Sequence, residues 1–196
     1  MQETFVRPVL YRENPLSRNS DTQGQDVLIR VASLTRDLSS DDDRCRGNAY
    51  RDLLQLAECG SSDAMFQVAR CLNQGIGVEA NQIKSDQWLR RACTTNPPSK
   101  IALYSFGMQN LLRKRPDADP ELGLQLIERA ATAGYVTAVI ELVTVLEKGT
   151  ADIRPDIRRA YRLLAGSITD RADMKLHEAY MSFVERNQPI ASLLDS

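Results

Sequence analysis

Apolar residues recur every three or four positions along most of this chain, which is the spacing of one helix face. One stretch carries Ala64, Val68 and Leu72, and a second, beyond a short polar interval, carries Trp88 and Ala92. The sequence shows no convincing two-residue alternation of the kind that marks a half-buried strand. We therefore predict an all-helical protein whose consecutive helices are joined into hairpins.

The same hairpin pattern returns with a period of about 36 to 38 residues, which indicates a repeat architecture. Small and apolar residues keep their places from unit to unit: Ala64, Ala102 and Ala138; Ala69, Gly107 and Val143; Trp88, Leu126 and Leu163; and Gly75 with Gly149. A single hairpin cannot bury its apolar faces alone, so stacked neighbours must share one core. We predict that Trp88 is structural and fills the space between the two helices of its unit.

Helix start and stop signals lie in phase with this period. Asn81, Asp119 and Asp156 offer short side chains that can accept hydrogen bonds from the free N–H groups at the start of each second helix. Gly75 lies where a tight connection needs a positive φ. These signals are typical of helical hairpins repeated along the chain.

The predicted repeat array covers residues 25–170, in units of about 25–60, 61–96, 97–134 and 135–170. Residues 171–187 are predicted to form a capping helix that covers the last hairpin, and residues 188–196 a tail. Residues 1–24 are polar and contain two prolines. We expect them to form a flexible arm or an extended segment laid on the array.

The unit that begins at Ala64 resembles the Sel1-like repeat, a relative of the tetratricopeptide repeat that is abundant in bacteria. The resemblance rests on Ala64, Gly75, Gly77, Val78, Trp88 and Ala92. The next unit lacks the glycine loop, and the third has Val143 where the family usually has glycine. Over about residues 25–170 the resemblance implies an all-α fold, a right-handed α-α superhelix (solenoid) of about three to four helical hairpins with a C-terminal capping helix.

Composition and charge exclude several classes of partner. Hydrophobic residues make up 42% and charged residues 26% of the 196 residues, as in ordinary soluble proteins. The formal net charge of −1 offers no general attraction to nucleic acid, and no apolar run reaches the roughly 18 residues of a membrane span. We expect no nucleic-acid binding and no membrane insertion. Because no signal-peptide pattern follows Met1, we expect a cytoplasmic protein, or a periplasmic one if a signal peptide has been removed.

Residues that could carry catalysis are few and scattered. His177 is the only histidine, and the spacings of Cys45, Cys59, Cys71 and Cys93 match no zinc or redox motif, so we expect neither metal nor cofactor. Cys71 and Cys93 fall on core-facing positions and are expected to be buried thiols that do not pair. The G-I-G tripeptide follows no strand and indicates a turn instead of a phosphate loop. We predict that the chain is not an enzyme.

The resemblance implies a non-catalytic adaptor or scaffold that holds a protein partner in its concave groove. By analogy with the tetratricopeptide repeat, the first helix of each unit lines this groove. The predicted partner-facing positions are Phe66, Arg70 and Asn73; Tyr104, Met108 and Leu111; and Ile140, Thr144 and Glu147. The apolar members are expected to form an exposed strip, with Arg70 and Glu147 at its rim.

Other functions stay open at this point. An inhibitor or immunity protein against a secreted toxin would bind its target in the same way, a homo-oligomeric structural component would use edge hairpins, and a hydrolase is the catalytic rival. Phe66 could pack on the neighbouring hairpin, and the N-terminal arm could lie over Tyr104 and Met108. If the groove does not bind, the basic face around Arg158 and Arg162 is the second surface to consider, although such charges more often form a solvated face.

Overall fold

The computed structural model describes residues 15–114, 116–168 and 173–187, with side chains from residue 24 onwards. Regular structure in these ranges is helical throughout, as predicted. The helices are α1 (Pro15–Asp37), α2 (Asp43–Glu58), α3 (Ser62–Gln74), α4 (Gln82–Thr94), α5 (Lys100–Leu111), α6 (Pro120–Thr132), α7 (Val136–Lys148), α8 (Ile157–Ser167) and α9 (Met174–Arg186). Consecutive helices pack in pairs from α1 with α2 to α7 with α8, and each pair packs on the next. The architecture is a helical solenoid.

The first helix begins earlier than the sequence suggested. α1 starts at Pro15, so residues 15–24 are helical, and the prediction of a flexible or extended arm is wrong for them. Proline is tolerated at the first position of a helix, and each further residue adds a hydrogen bond once a packed turn exists. That packed part contains Val31 and Leu34, and Leu38, directly after the helix, is buried as well. Residues 1–14 of the predicted arm, and the predicted tail, lie outside the described residues.

The second helices of the three later units begin at the residues that the sequence indicated. Asn81 Oδ1 accepts a hydrogen bond from the backbone N–H of Lys84 at 2.9 Å, and Asp156 Oδ1 accepts one from Arg159 at 2.9 Å. Asp119 Oδ1 accepts two, the shorter from Glu121 at 3.0 Å. Each cap satisfies backbone donors that have no partner within the helix.

Small residues allow the helices to approach closely. Ala64, Ala102 and Ala138, one in each repeated unit, are all fully buried. The closest approach is between α5 and α6, where a Cβ added to Gly123 would lie 2.6 Å from the backbone N of Leu111 and 2.7 Å from the carbonyl O of Gly107. Because neither atom can rotate away, these two helices touch through their backbones.

The core also corrects one prediction. Trp88 is only partly buried at the margin of the core, and the guanidinium of Arg91 lies 5.0 Å from the centre of its ring. The fully packed position is the next one, where Leu89 is 4% exposed. The indole ring therefore packs against the core from its margin and stays partly accessible, instead of being fully enclosed between the two helices.

Cys71 and Cys93 lie in the core as free thiols, as the sequence predicted. Burial raises the pKa of Cys71 to about 11 and that of Cys93 to about 12, since a thiolate would lose its hydration there. Cys59, by contrast, is exposed and Cys45 is half-buried. None of the helices described is both long and apolar enough to cross a lipid bilayer.

The last helix packs on the final hairpin. Phe183 of α9 is 1% exposed, and its ring centre lies 6.5 Å from that of Tyr161 on α8. Tyr180 lies 6.2 Å from the same Tyr161 ring. On the other side, Arg186 makes two hydrogen bonds of 2.9 Å to the carboxylate of Glu147 on α7. These contacts hold α9 against both α7 and α8.

Candidate functional site

The accessible faces of the first helices of three successive units, α3, α5 and α7, carry the predicted partner-facing positions, and we call them together the groove surface. Four predicted partner-facing side chains lie on it: Phe66, Tyr104, Met108 and Ile140, which we call the groove strip. Each is half-buried and packs against the hydrophobic core. Their lower parts are therefore held by the core while the remainder is accessible to a partner.

The first predicted row lines a cavity of about 240 Å³ between α3, α4 and α5. Phe66, Arg70 and Asn73 of α3 line it together with Ser105 and Gln109 of α5. The structure thus brings this row together with polar residues of the next unit. Most of the lining side chains are polar, so the cavity can receive a polar or charged group.

The middle row is built around an aromatic pair. The rings of Tyr104 and Tyr135 meet edge to face with their centres 5.4 Å apart. Burial is the main cause that raises the pKa of Tyr104, with Glu141 and Tyr135 adding to it, so this phenol is neutral at physiological pH. A fixed neutral phenol can take part in hydrophobic contact and in hydrogen bonding.

Leu111 departs from the expected exposed strip. Its side chain is 4% exposed, so it belongs to the core and cannot contact a partner. The reason lies in the helix crossing, because the backbone of α6 at Gly123 approaches α5 at Leu111 itself. The prediction of Leu111 as a partner-facing residue is wrong.

The third row faces α9. Ile140, Thr144 and Glu147 line a cavity of about 400 Å³ together with Ser182 and Arg186 of that helix. The carboxylate of Glu147 accepts hydrogen bonds from Arg186 and also from Asn187 Nδ2, at 3.0 Å. Arg186 is the main cause that holds the pKa of Glu147 below its usual value.

Two consequences follow for the third row. Glu147 is occupied in attaching α9 and is not the free rim charge that the sequence analysis expected. Thr144 donates its hydroxyl to the carbonyl of Ile140 at 3.0 Å, so its polar group is satisfied within α7. Ile140 is the member of this row that combines apolar surface with accessibility.

Sequence reasoning missed several residues of the groove surface. Ser105 and Gln109 follow the predicted Tyr104 and Met108 by one position each and lie one turn apart. A groove-lining helix presents a stripe wider than one residue, and this periodicity could have identified both. Tyr135 lies at the N-cap of α7 outside any helical pattern, and no sequence signal pointed to its contact with Tyr104.

The basic residues outside the groove are largely solvated or paired. On α8, Arg158 and Arg162 are exposed, whereas Arg159 is paired with Glu128 of α6. In the loop after α5, Arg113 binds the carboxylate of Asp152 through two hydrogen bonds of 2.6 and 3.0 Å. This arrangement favours the solvated-face interpretation of the basic clusters over an acidic-partner site.

Groups suited to catalysis lie apart from the groove. His177 is exposed on α9, and Cys71 and Cys93 are buried with raised pKa values. In the described ranges, no three side chains of His, Cys, Asp or Glu lie close enough together to hold a metal ion. What the groove surface offers chemically is shape, apolar contact and hydrogen bonding.

Comparison with known protein families identifies the family that has this architecture. The family model for the Sel1 repeat matches residues 62–94, 103–135 and 145–165. This chain is a Sel1 repeat protein. The first matched segment spans α3 and α4, the second runs from α5 through α6 to Tyr135 just before α7, and the third runs from the end of α7 into α8. Sel1 repeat proteins generally mediate interactions between proteins, and their fold is that of a non-catalytic scaffold.

Solved structures share this fold, and a curated protein is similar in sequence to part of the chain. The crystal structure of a Sel1 repeat protein from Oxalobacter formigenes matches with a TM-score of 0.57 and 25% identity, over 67% of this chain and 96% of that one. A protective antigen present in uropathogenic Escherichia coli strains has the same fold, with a TM-score of 0.58 and 16% identity over 72% of this chain and 30% of that one. Chitin synthase regulatory factor 3 of Schizosaccharomyces pombe is 31% identical over 111 residues, 53% of this Sel1 chain. The matched part is only 12% of that relative's length.

Proposed function

We propose that this Sel1 repeat protein is a non-catalytic adaptor or scaffold that binds a protein partner along the groove surface. The observation that carries the proposal is the groove strip, in which Phe66, Tyr104, Met108 and Ile140 lie half-buried on three successive first helices. Binding energy at protein interfaces concentrates on a few such aromatic and apolar anchors. The strip therefore supports a binding role better than a catalytic one.

The strip is also preorganised. Tyr104 is held by the edge-to-face contact with Tyr135, and all four strip residues rest on the core. Side chains that are already ordered lose little conformational freedom when a partner binds, so more of the contact energy contributes to affinity. This favours a role in which a folded surface holds a partner without rearranging.

The curated relative fits such a role, since its name describes a regulatory factor and not an enzyme. A regulatory factor can act by bringing other proteins together, which requires a binding surface and no catalytic group. By this similarity, the present chain would supply the binding segment of a regulatory assembly.

Site-specific crosslinking can test the location of the binding surface. A photoreactive amino acid placed at Met108 should crosslink the partner in the native host. The same amino acid at Gln125, exposed on α6, is the matched control and should crosslink it much less. Equal crosslinking at the two positions, or crosslinking at Gln125 alone, would show that the partner binds elsewhere.

Truncation of the anchors gives a quantitative test once the crosslinked partner has been identified. Tyr104→Ala and Met108→Ala should each weaken binding by about 2 kcal/mol or more. Arg158→Ala and Arg162→Ala on α8 are controls for general surface changes. Helix content and melting temperature are measured for every variant. If affinity is unchanged in both groove variants and lost in the α8 variants, the basic face is the site.

Self-association is a second function that a specific observation favours. Large apolar side chains are exposed on both terminal helices of the described array: Leu28 and Ile29 on α1 are 54% and 69% exposed, and Met174 and Met181 on α9 are 71% and 56% exposed. Terminal units of a solenoid lack one neighbour, so such residues can stack against another copy. Mass measured by light scattering over a concentration series tests this, and Ile29→Asp should abolish any dimer that forms through α1.

A further inference from the structure

The cavity in the first row, between α3, α4 and α5, has a feature that hydrophobic contact with a partner does not explain. We call it the Arg70 cavity, after the one basic side chain among the described residues that line it. The other polar side chains that line it include Asn73, Gln74, Asp86, Ser105 and Gln109. It opens beside Phe66, at one end of the groove strip.

Arg70, which lines this cavity, has an unsatisfied donor. Its Nε atom is buried, and no atom of the described residues accepts a hydrogen bond from it. Other arginines of the fold behave differently: Arg90 lies 2.8 Å from Asp117, and Arg113 and Arg186 each hold a carboxylate with two hydrogen bonds. A buried donor without an acceptor is costly, and most buried donors in folded proteins are satisfied.

Neighbouring polar groups do not supply the acceptor. Gln67 lies one turn before Arg70 on α3, but its Oε1 is itself buried and receives no hydrogen bond, so the two side chains do not satisfy each other. Ser85 donates to the carbonyl of Ala69 at 2.7 Å. Asp86 accepts a hydrogen bond from Gln82 Nε2 at 3.0 Å.

We propose that the Arg70 cavity binds a carboxylate side chain, from an aspartate or glutamate of the partner protein. The guanidinium supplies the positive charge and N–H donors, and such charge-assisted hydrogen bonds are among the stronger ones in proteins. Because the Nε atom itself is buried, the carboxylate reaches its N–H only when the arginine side chain shifts. The inference rests on the proposed function, because the acidic residue belongs to the protein held on the groove surface. By this inference the partner must present a negative charge to the Arg70 cavity in addition to apolar side chains that contact the groove strip.

The charges of the lining select a carboxylate over a phosphate. Among the described residues that line the cavity, one arginine and one carboxylate, that of Asp86, carry charge, so the single positive charge of Arg70 matches a group with one negative charge better than a phosphate with nearly two. The remaining polar lining is neutral: the amides of Asn73 and Gln109 and the hydroxyl of Ser105 are donors that can serve a second oxygen. A planar group with two oxygens suits this donor set.

Nuclear magnetic resonance of the arginine Nε–H groups tests the proposal without any knowledge of the partner. The Arg70 signal is assigned by its disappearance in Arg70→Lys. Sodium acetate, and then N-acetylglutamate amide, are titrated against sodium chloride at equal ionic strength. The Arg70 signal should move downfield and saturate with both carboxylates but not with chloride, and the side-chain amide signals of Asn73 and Gln109 should shift with it.

Three outcomes would overturn the proposal. The Arg70 signal could respond to chloride as strongly as to acetate, which would indicate simple screening. It could respond to inorganic phosphate and not to the carboxylates, which would assign a different anion. It could also ignore every anion and move in Gln67→Leu, which would show that Gln67 satisfies it internally.

Measurements with the partner separate this inference from the proposed function. Arg70→Met keeps the aliphatic stem but removes the donors and the charge, and it should weaken partner binding by about tenfold to a hundredfold. Arg158→Met on α8 is the matched control and should have no effect. If Tyr104→Ala weakens binding while Arg70→Met does not, the carboxylate proposal fails, and the groove surface remains the proposed binding site. If neither variant weakens binding, the groove proposal fails, and the titration alone decides whether the cavity binds carboxylates.

Discussion

The contact between α5 and α6 makes a sharp prediction for a single methyl group. In Gly123→Ala the new Cβ would lie 2.6 Å from the backbone N of Leu111 and 2.7 Å from the carbonyl O of Gly107. Ordinary contacts of a Cβ atom are longer than about 3.4 Å, and both neighbours are backbone atoms. The helices must therefore separate by a sizeable fraction of an ångström, which also disturbs the packing around them.

The magnitude follows from two opposing effects. Alanine favours a helix over glycine by about 1 kcal/mol. Overpacking costs about 1–3 kcal/mol, with the upper part of this range expected where only backbone can move. We expect Gly123→Ala to lower the free energy of unfolding by a net ~2 kcal/mol. For a chain of this size that corresponds to a fall of roughly 4–8 °C in the melting temperature.

A second glycine provides the matched control. Gly166 also lies in a helix, α8, but a Cβ added there meets no atom within 4 Å. Gly166→Ala should therefore raise stability by up to about 1 kcal/mol, since only the helix propensity changes. Urea denaturation followed by circular dichroism at the helix band measures both variants against the parent chain. Equal effects of the two substitutions, or a stabilised Gly123→Ala, would refute the backbone contact.

Three further outcomes are expected. Glu147→Gln should destabilise the chain by about 1 kcal/mol or less at neutral pH. Because the pKa of Glu147 is lower in the folded chain, its contribution to stability is present above the unfolded pKa of 4.5 and is lost as the pH falls through the folded pKa. The melting temperatures of parent and variant should therefore converge in acid. A difference that stays constant with pH would contradict the ion pair. A disulfide reagent near neutral pH should modify the exposed thiol of Cys59 rapidly, and the buried thiols of Cys71 and Cys93 only when the chain unfolds. Rapid labelling of either buried thiol in the native chain would contradict their placement in the core. Trp88→Ala should lower the free energy of unfolding by ~2 kcal/mol, less than the loss of about 2–5 kcal/mol expected for Leu89→Ala. Denaturation curves that reverse this order would show that Trp88 is a fully packed core residue.

The local features of the fold could be predicted from the sequence because they depend on residues close together in the chain. Asn81, Asp119 and Asp156 cap the second helices where expected, since a cap needs only a short acceptor two or three residues before the donor. The glycine at Gly75 adopts the left-handed conformation expected of a helix end. Residues 15–24 were misjudged because polar composition was taken as a sign that no helix forms.

For the candidate site too, the features that depend on residues close in the chain could be predicted, and those that depend on packing between helices could not. Periodicity together with the analogy to the tetratricopeptide repeat placed Phe66, Arg70 and Tyr104 on the first helices of successive units, because the repeat carries each position from one unit to the next. It could not show that Leu111 is buried, since that depends on how closely α6 crosses α5 at Gly123. Residue spacing within α5 contains no information about that distance.

What the sequence by itself determined is the repeat: its period, its helical hairpins and the residues at each repeated position. These follow from backbone hydrogen bonding and from apolar spacing within single helices, which act over a few residues. The tertiary structure alone decided which repeated positions stay accessible and which charges stay unpaired. Glu147 is neutralised by Arg186, 39 residues later in the chain, whereas the buried Nε of Arg70 receives no such partner. Accessibility and pairing depend on distances between helices, and these distances are set only when the helices pack against one another.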